Sequence, residues 1–370
     1  MRTSPAQTGR RRVMVALSGG VDSSTAAALL VQQGDKISGL MMRLWSAPAD
    51  GGFVENRCCS DRAVLDAQRV SVLLGIPFHL VDLSQEFKSE VVDRFCQDYA
   101  QGRTPNPCLF CNQRIKFKTL LRLALDQGAD CMATGHYARV RARDGQYQLL
   151  KGNDASKDQS YVLYMLGQEE LAHVLFPLGD YSKRQVRALA AQYELPTAAK
   201  AESQDACFLS DGDYRAFVAQ QRPETVRPGP LLDLQGHVLG QHRGVAFYTV
   251  GQRQGLGIAT GTPLYVLEVD VARNAVVVGL KSALFRRELR AEQVCFVAGS
   301  PPPGPIPVMA KIRYKAPEAR ATLTPMPGRT ARVVFADPQP AITPGQGVVF
   351  YDGDVVLGGG IIASTESSEG

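Results

Sequence analysis

Over its first two hundred residues this chain alternates short apolar runs with helical stretches, and beyond about residue 210 the alternation stops. Strand signals fall at 13–17, 37–44, 78–81 and 131–134, and helical signals at 24–33, 61–74, 85–99 and 112–127. Gly75 and Pro77 close the second helix. Strands separated by helices need crossover connections, so the pattern predicts an α/β domain whose parallel sheet is covered on both faces. Ligands of such sheets bind beyond the carboxyl ends of the strands. Residues 18–23 and 134–136 fall there.

After residue 210, Gly and Pro punctuate short alternating runs at 246–250, 265–269, 275–278, 308–314, 331–335 and 347–351. Such spacing predicts two small β-rich modules, the last a β-barrel, with a linker near 285. The expected division is a basic tail at 1–11, the parallel-sheet domain at 12–209, a central mainly-β domain at 210–284, a barrel at 285–363 and a polar tail at 364–370. A chain of 370 residues is long enough for two or three domains at about 150 residues each.

Composition removes several classes. With 45% hydrophobic and 21% charged residues, the chain is globular rather than fibrous or disordered. No apolar run approaches the roughly 18 residues of a membrane span. The opening MRTSPAQTGRRR lacks the apolar stretch of a secretory signal, so a cytoplasmic setting is expected. In that setting the eight cysteines (Cys58, Cys59, Cys96, Cys108, Cys111, Cys131, Cys207, Cys295) are not a disulfide scaffold. Cys96, Cys131 and Cys295 lie within apolar patterns and are expected in the core.

Charge is uneven. Between Arg286 and Arg332 nine basic residues face only Glu288, Glu292 and Glu318, a net +6 in a chain whose total is +5. A basic concentration of this kind is the footprint of a polyanion site, or else a solvated face.

The sharpest local signal is Ser18-Gly19-Gly20-Val21-Asp22-Ser23-Ser24, between a buried strand and a helix. Glycines let the backbone approach a phosphate, and unpaired N–H groups at a helix start favour anions. There is no Gly-Lys-Ser/Thr, which excludes the phosphate loop of kinase-like NTPases. The string resembles the loop of ATP pyrophosphatases, which adenylate a substrate and release pyrophosphate. Asp22 is a candidate Mg²⁺ ligand or a plain helix-start carboxylate.

A second signal is Thr104-Pro105-Asn106-Pro107-Cys108-Leu109-Phe110-Cys111-Asn112. Two prolines stiffen the backbone and remove two donors, a costly arrangement for an incidental loop. Cys111 is expected at or just before a helix start, where the dipole favours thiolate, with Arg114 and Lys116 acting the same way. Cys207 stands in a third string, at 202–209. A single C-x-x-C is a weak zinc signal, because structural zinc takes four ligands; unreactive buried thiols are the other bland reading.

In this order, the strings resemble those of the tRNA-specific 2-thiouridylases of the MnmA type, over about residues 12 to 362. The further matches are Ala133-Thr134-Gly135-His136-Tyr137, Lys157-Asp158-Gln159-Ser160-Tyr161, residues 248–257, Lys311-Ile312-Arg313-Tyr314 and Pro344-Gly345-Gln346. Cys58-Cys59-Ser60 also matches, without an assigned role.

The resemblance implies an adenine-nucleotide alpha-hydrolase-like (ATP pyrophosphatase) catalytic domain and a tRNA-binding barrel. It implies ATP, with Mg²⁺, over Ala16, Leu17, Ser18, Gly19, Gly20, Val21, Asp22 and Ser23, with Met42 and Gly135 near the adenosine. The wobble uridine of tRNAs for Lys, Glu and Gln is presented to Asn106, Pro107 and Cys108, and its C2 oxygen is adenylated. Cys207 carries a persulfide loaded by a sulfur-relay protein or cysteine desulfurase. The terminal sulfur attacks C2 directly, or is first freed when Cys111 attacks and forms a disulfide with Cys207. His136, Lys157, Asp158, Gln159, Arg313, Tyr314 and Gln346 are implied to touch tRNA. Tyr314 between Arg313 and Lys315 independently suits an RNA loop.

Many family members carry Asp at the position of Cys108, where it is thought to shuttle a proton. An ordinary thiol, with a pKa near 8.5, is a poorer proton shuttle. Cys108, Cys111 and Cys207 also make a three-thiolate set for an iron–sulfur cluster, although four is usual. Two other functions compete. An amidotransferase or argininosuccinate-type synthetase leaves the three cysteines and the basic module unexplained. A non-catalytic RNA-binding protein leaves the intact Ser18–Ser23 loop unexplained.

Overall fold

The computed structural model describes residues 10–45, 60–201, 206–209, 213–259 and 261–365, together with the short strands Pro48–Ala49 and Gly52–Phe53. Its first layer is the expected parallel sheet, built from β1 (Arg12–Leu17), β2 (Lys36–Arg43), β3 (Phe78–Asp82), β4 (Cys131–Ala133) and β5 (Val174–Leu175). The order is β3-β2-β1-β4-β5 and every pairing is parallel. Side chains of β1 alternate between two cores. Val13, Val15 and Leu17 pack with Ala27, Leu30 and Ala67, while Met14 faces the larger cluster with Leu40 and Met132. Both faces are therefore buried, which explains why the strand reads as an unbroken apolar run. Strand order reverses between β1 and β4, so the ligand crevice opens there.

Helix α1 (Val21–Gln32) leaves β1 through the glycine pair, and α2 (Asp61–Leu74) packs beside it. Ser60 caps α2 by accepting from the Ala63 N–H at 3.2 Å, and Gly75 ends it with φ 63°.

One expected boundary moves. Helical backbone begins at Pro107 rather than at 112 and runs through Pro107–Phe110, a π-helical stretch Cys111–Leu120 and Leu121–Asp126. Asn106 caps it, its Oδ1 accepting from the Cys108 N–H at 3.1 Å, and Pro107 occupies the first helical position. A proline there forfeits no bond, since that N–H has no partner within a helix. Pro107 is thus the start of the helix rather than a stiffener of the loop before it.

The central module pairs β6 (Gly229–Leu232), β7 (Val238–His242), β8 (Tyr265–Asp270) and β9 (Ala275–Gly279) in the order β7-β6-β9-β8. The strand expected at 246–250 is instead the 3₁₀ turn Val245–Phe247. Val245, Ala246, Phe247 and Tyr248 are all buried, and an unbroken buried run of this length imitates a strand in sequence.

The last module has six antiparallel strands: β10 (Phe285–Phe296), β11 (Ile306–Lys311), β12 (Ala319–Met326), β13 (Thr330–Pro340), β14 (Gly347–Asp352) and β15 (Val355–Ser364). Their order is β10-β13-β12-β11-β14-β15, and pairing of β10 with β15 closes the barrel around Leu289, Leu323, Val333 and Phe350. The strand expected to reach 314 stops at Lys311, which leaves Arg313 and Tyr314 in the turn beyond. A hairpin of the first domain, Ala138–Arg143 with Gln146–Lys151, extends the barrel sheet through the Leu150–Val355 pair. Cys96 lies in the core as expected, and burial pushes its thiol up to about 12. Cys131 and Cys295 are only partly buried, yet desolvation raises both thiols, Cys295 to about 11.

Candidate active site

At the crevice, the chain turns from β1 into α1 with Gly19 at φ 65° and Gly20 as the cap of the helix. A Cβ on Gly19 would lie 2.3 Å from the Ala63 carbonyl oxygen, so no other residue fits between the loop and α2. Ser23 folds back over the loop. Its Oγ accepts the Ser18 N–H at 3.1 Å and lies 3.2 Å from Ser18 Oγ. The result is a rigid turn lined by backbone and hydroxyl groups, the ingredients of a phosphate cradle. Met42 is half-buried near the carboxyl end of β2.

The opposite wall follows β4. Gly135 is pressed against the start of α1, where a Cβ would meet the Ser23 nitrogen at 2.7 Å. Tyr137, two residues on, is buried and donates to Asp22 Oδ1 at 2.8 Å. Lys183 donates to both oxygens of the same carboxylate, at 2.7 and 2.8 Å. On the other flank, Lys200 Nζ donates to the Gly19 carbonyl at 2.9 Å and to Asp66 Oδ2 at 2.8 Å. Two lysines thus bracket the glycine turn. Neither was legible as a site residue, because nothing in a lone lysine marks it; Lys200 does stand directly ahead of the 202–209 string.

Several positions implied to touch tRNA also take part in holding the fold. His136 is buried between Phe117 and Phe176, with Nδ1 2.6 Å from Thr134 Oγ1, and desolvation holds its pKa well below the ordinary range. Asp158 is buried and accepts from the Gly152 N–H, the Ser160 N–H and the Ser160 hydroxyl. Gln159 exchanges hydrogen bonds with the Tyr137 backbone, so the Asp158-Gln159 turn holds the wall that carries Tyr137. Lys157 beside them is half-buried.

Because the helix begins at Pro107, Cys108 rather than Cys111 occupies the first turn, where the dipole favours an anion. This corrects the expectation for Cys111, which lies one turn further on, at the first residue of the π-helical stretch. Cys108 is exposed and Cys111 half-buried. Cys207 is half-buried too, and it packs on the same large core as Cys111. The next residue, Phe208, is buried edge-on against Phe87 and Phe95, which anchors the chain beside the thiol. Residues 202–205 of that string, with Cys58 and Cys59, lie outside the described residues.

The cysteine loop is also where the three modules meet. Thr104 donates its N–H to the Pro344 carbonyl and its hydroxyl to Thr249 of the central module. Gln346 returns a bond from Nε2 to the Thr104 carbonyl. Tyr314 lies 6.0 Å from the ring of Tyr161, and Tyr161 donates to the Gly347 carbonyl. Arg313 is half-buried and spends its guanidinium on the carbonyls of Pro340 and Ala341; burial lowers its pKa.

Comparison with known proteins fits this arrangement. A family model described as the tRNA methyl transferase HUP domain matches residues 11–211, a tRNA methyl transferase PRC-barrel domain matches 215–280, and an aminomethyltransferase beta-barrel domain matches 286–362. The tRNA-specific 2-thiouridylases MnmA of Roseiflexus castenholzii and Moorella thermoacetica are 50% and 52% identical to this chain, over 95% of its length and 99% of theirs. The chain belongs to the tRNA-specific 2-thiouridylase family. A solved 4-thiouridine synthetase in complex with RNA and ATP aligns at a TM-score of 0.36 and 18% identity, over 60% of this chain and 52% of that one.

In this thiouridylase the donor sets for bound metals are not assembled among the described residues. Among the described residues, no group of three or more His, Cys, Asp or Glu side chains is arranged to hold a metal ion. Cys108, Cys111 and Cys207 therefore do not fit a cluster in this conformation. Asp22, the candidate Mg²⁺ ligand, gives both carboxylate oxygens to Lys183.

Proposed function

We propose that this family member is a tRNA-uridine 2-sulfurtransferase, which uses ATP to replace the C2 oxygen of a wobble uridine by sulfur. One observation carries the reading: a phosphate cradle and a cysteine-bearing helix start share a single parallel-sheet domain. The methyl-transfer wording of two of the family models gives neither feature a task. The acceptors are tRNAs for Lys, Glu and Gln, and the setting is the cytoplasm.

In this reading residues 16–23 hold the triphosphate, with Met42 and Gly135 beside the adenosine. The uridine C2 oxygen attacks the α-phosphorus, pyrophosphate leaves, and the poor oxygen leaving group becomes AMP. Asn106, Pro107 and Cys108 receive the base, and Cys108 stands where a proton acceptor is useful. Gln346 supports that loop from the barrel. Sulfur then comes from a Cys207 persulfide, loaded by a sulfur-relay protein or a cysteine desulfurase. By one route the terminal sulfur attacks C2, AMP departs, and Cys111 attacks Cys207 Sγ to release the thiolated base. By the other, Cys111 first displaces hydrosulfide from Cys207 Sγ, and hydrosulfide attacks C2. Both routes leave a Cys111–Cys207 disulfide, which an external thiol reductant must open before the next turnover.

The test is mass spectrometry of nucleosides from tRNA incubated with the protein, ATP, Mg²⁺, a thiol reductant, and a cysteine desulfurase with cysteine as the persulfide source. Wobble 2-thiouridine formed only with ATP supports the assignment. Folded, ATP-binding protein that yields no thiolated nucleoside, even with iron and sulfide added under anaerobic conditions, overturns it.

A further inference from the structure

Cys108 and Cys111 share one tightened turn. The Cys111 N–H is shared between the carbonyls of Pro107 and Cys108, and the Leu109 N–H donates to the Asn106 carbonyl at 3.1 Å. Bonds from a residue to the carbonyl three before it are those of a 3₁₀ turn, in which side chains three apart lie one above the other. A plain α-helix keeps such Cβ atoms about 5–6 Å apart, whereas a disulfide takes about 3.5–4.5 Å. The tightening therefore moves the two thiols toward bridging distance. Their exposures differ: Cys108 is exposed, while Cys111 and Cys207 are half-buried against the same core. The neighbours of the two inner cysteines dock on one helix, Asp93–Ala100. Phe110 lies under the Arg94 guanidinium, at 4.6 Å, and Phe208 packs edge-on against the next residue, Phe95, at 5.2 Å.

We propose that Cys108 is the resolving thiol that opens the Cys111–Cys207 disulfide and passes it to the surface as a Cys108–Cys111 disulfide. This rests on the Cys111 and Cys207 roles proposed above. The Cys108 thiolate attacks Cys111 Sγ; the Cys108–Cys111 bond forms as the Cys111–Cys207 bond breaks, and the electron pair leaves on Cys207 Sγ. Cys207 is thereby a thiolate again, ready to accept the next sulfur. A dithiol reductant then attacks the exposed Cys108 Sγ and expels the Cys111 thiolate. Its second thiol closes the reductant's own disulfide and releases Cys108, so the dithiol loses two electrons and the protein gains two. Access decides the route, because exchange requires the attacking thiolate to reach a sulfur, and Cys108 offers the exposed one.

The experiment follows the disulfide through one turnover of the full chain. The protein is loaded with persulfide by an immobilised cysteine desulfurase and cysteine, desalted, and given tRNA, ATP and Mg²⁺ without reductant. After an acid quench and alkylation, tryptic peptides are weighed. Cys108 and Cys111 share the peptide Thr104–Arg114, and Cys207 lies in Ala201–Arg215. In the parent, most of the disulfide formed per 2-thiouridine should be internal to Thr104–Arg114, with Cys207 alkylated. In Cys108→Asp and Cys108→Ser it should instead cross-link the two peptides. Multiple turnover by Cys108→Asp should need severalfold more dithiothreitol than the parent does, and excess dithiothreitol should recover it, which a merely structural role would not allow. A parent that holds the cross-link with Cys108 alkylated overturns the proposal. So does a Cys108→Asp protein with the dithiothreitol dependence of the parent. Absence of 2-thiouridine from the loaded parent would strike the Cys207 role itself, and the proposal with it.

Discussion

Gln346 of the barrel and Thr104 of the cysteine loop are joined by a 2.8 Å bond from the Gln346 amide to the Thr104 carbonyl, while the Thr104 N–H is taken by Pro344 at 2.8 Å. Two opposed bonds fix both rotation and distance, so the barrel sets the position from which the Pro107 helix starts. Replacing Gln346 with Ala removes one neutral bond, worth about 1 kcal/mol. Thermal stability should change little and ATP affinity not at all, while kcat for thiolation falls. Steady-state kinetics beside calorimetric ATP binding checks this. Equal losses in both would mean that Gln346 acts on the nucleotide turn instead.

Cys207→Ser should reduce 2-thiouridine formation to background while tRNA and ATP still bind. Cys111→Ser should retain adenylation and stop turnover. Serine is a far weaker nucleophile than thiolate and cannot carry a persulfide. ATP–pyrophosphate exchange in the presence of tRNA, set beside nucleoside mass spectrometry, separates the two half-reactions. Thiolation by the Cys207→Ser protein would move the sulfur to another residue. Cys108→Asp, which places a carboxylate in the first helical turn, should keep or raise the adenylation rate.

Much of this fold is legible in the sequence because its signals are local. The glycine turn between buried strand and helix and the Gly75 stop follow from patterns spanning fewer than a dozen residues, and so do three of the six barrel strands, whereas Phe285–Phe296, Ala319–Met326 and Val355–Ser364 carry no run that the sequence reading marks. The start of the cysteine helix is not, because prolines stiffen loops as readily as they open helices, and Asn106-Pro107 is a cap and a first turn. The hairpin at 138–151 does carry a local signal, the turn Asp144-Gly145 with φ 51° and 79°, but Arg-x-Arg alternation hides its strands. Lys183, Lys200 and Thr104 have no local signal at all. Their partners lie 161, 181 and 242 positions away, for Asp22, Gly19 and Gln346 respectively, and only folding brings them together.

Charge counting is equally blind to how cations are spent. In the basic segment, Arg286, Arg287, Arg313 and Arg329 donate to backbone carbonyls, and Arg332 pairs with Glu288. Arg290, Lys315 and Arg320 are exposed. Lys315→Ala with Arg320→Ala should therefore weaken tRNA binding and lower the salt slope by about 0.7–0.9 for each phosphate no longer neutralised. Arg313→Ala should cost about 1 kcal/mol of stability by removing its bonds to the Pro340 and Ala341 carbonyls, the second of which keeps the Thr343 hydroxyl as a donor. Filter binding across a salt series and thermal melts distinguish the two. An unchanged slope in the double variant would make this face merely solvated.

His136 gives the chain a predictable acid limit. Burial, with Lys116 nearby adding repulsion, holds the folded imidazole neutral, whereas the unfolded chain protonates it below about pH 6.5. Below that pH the unfolded state binds the extra proton, so this contribution to stability is complete above pH 6.5 and is lost as pH falls toward the depressed folded value. The loss approaches about 1.4 kcal/mol per pH unit. His136→Asn removes the titrating group and should flatten the decline in melting temperature between pH 6.5 and 5, even if the variant begins from a lower value. A decline as steep in the variant as in the parent would assign the acid limit to other groups.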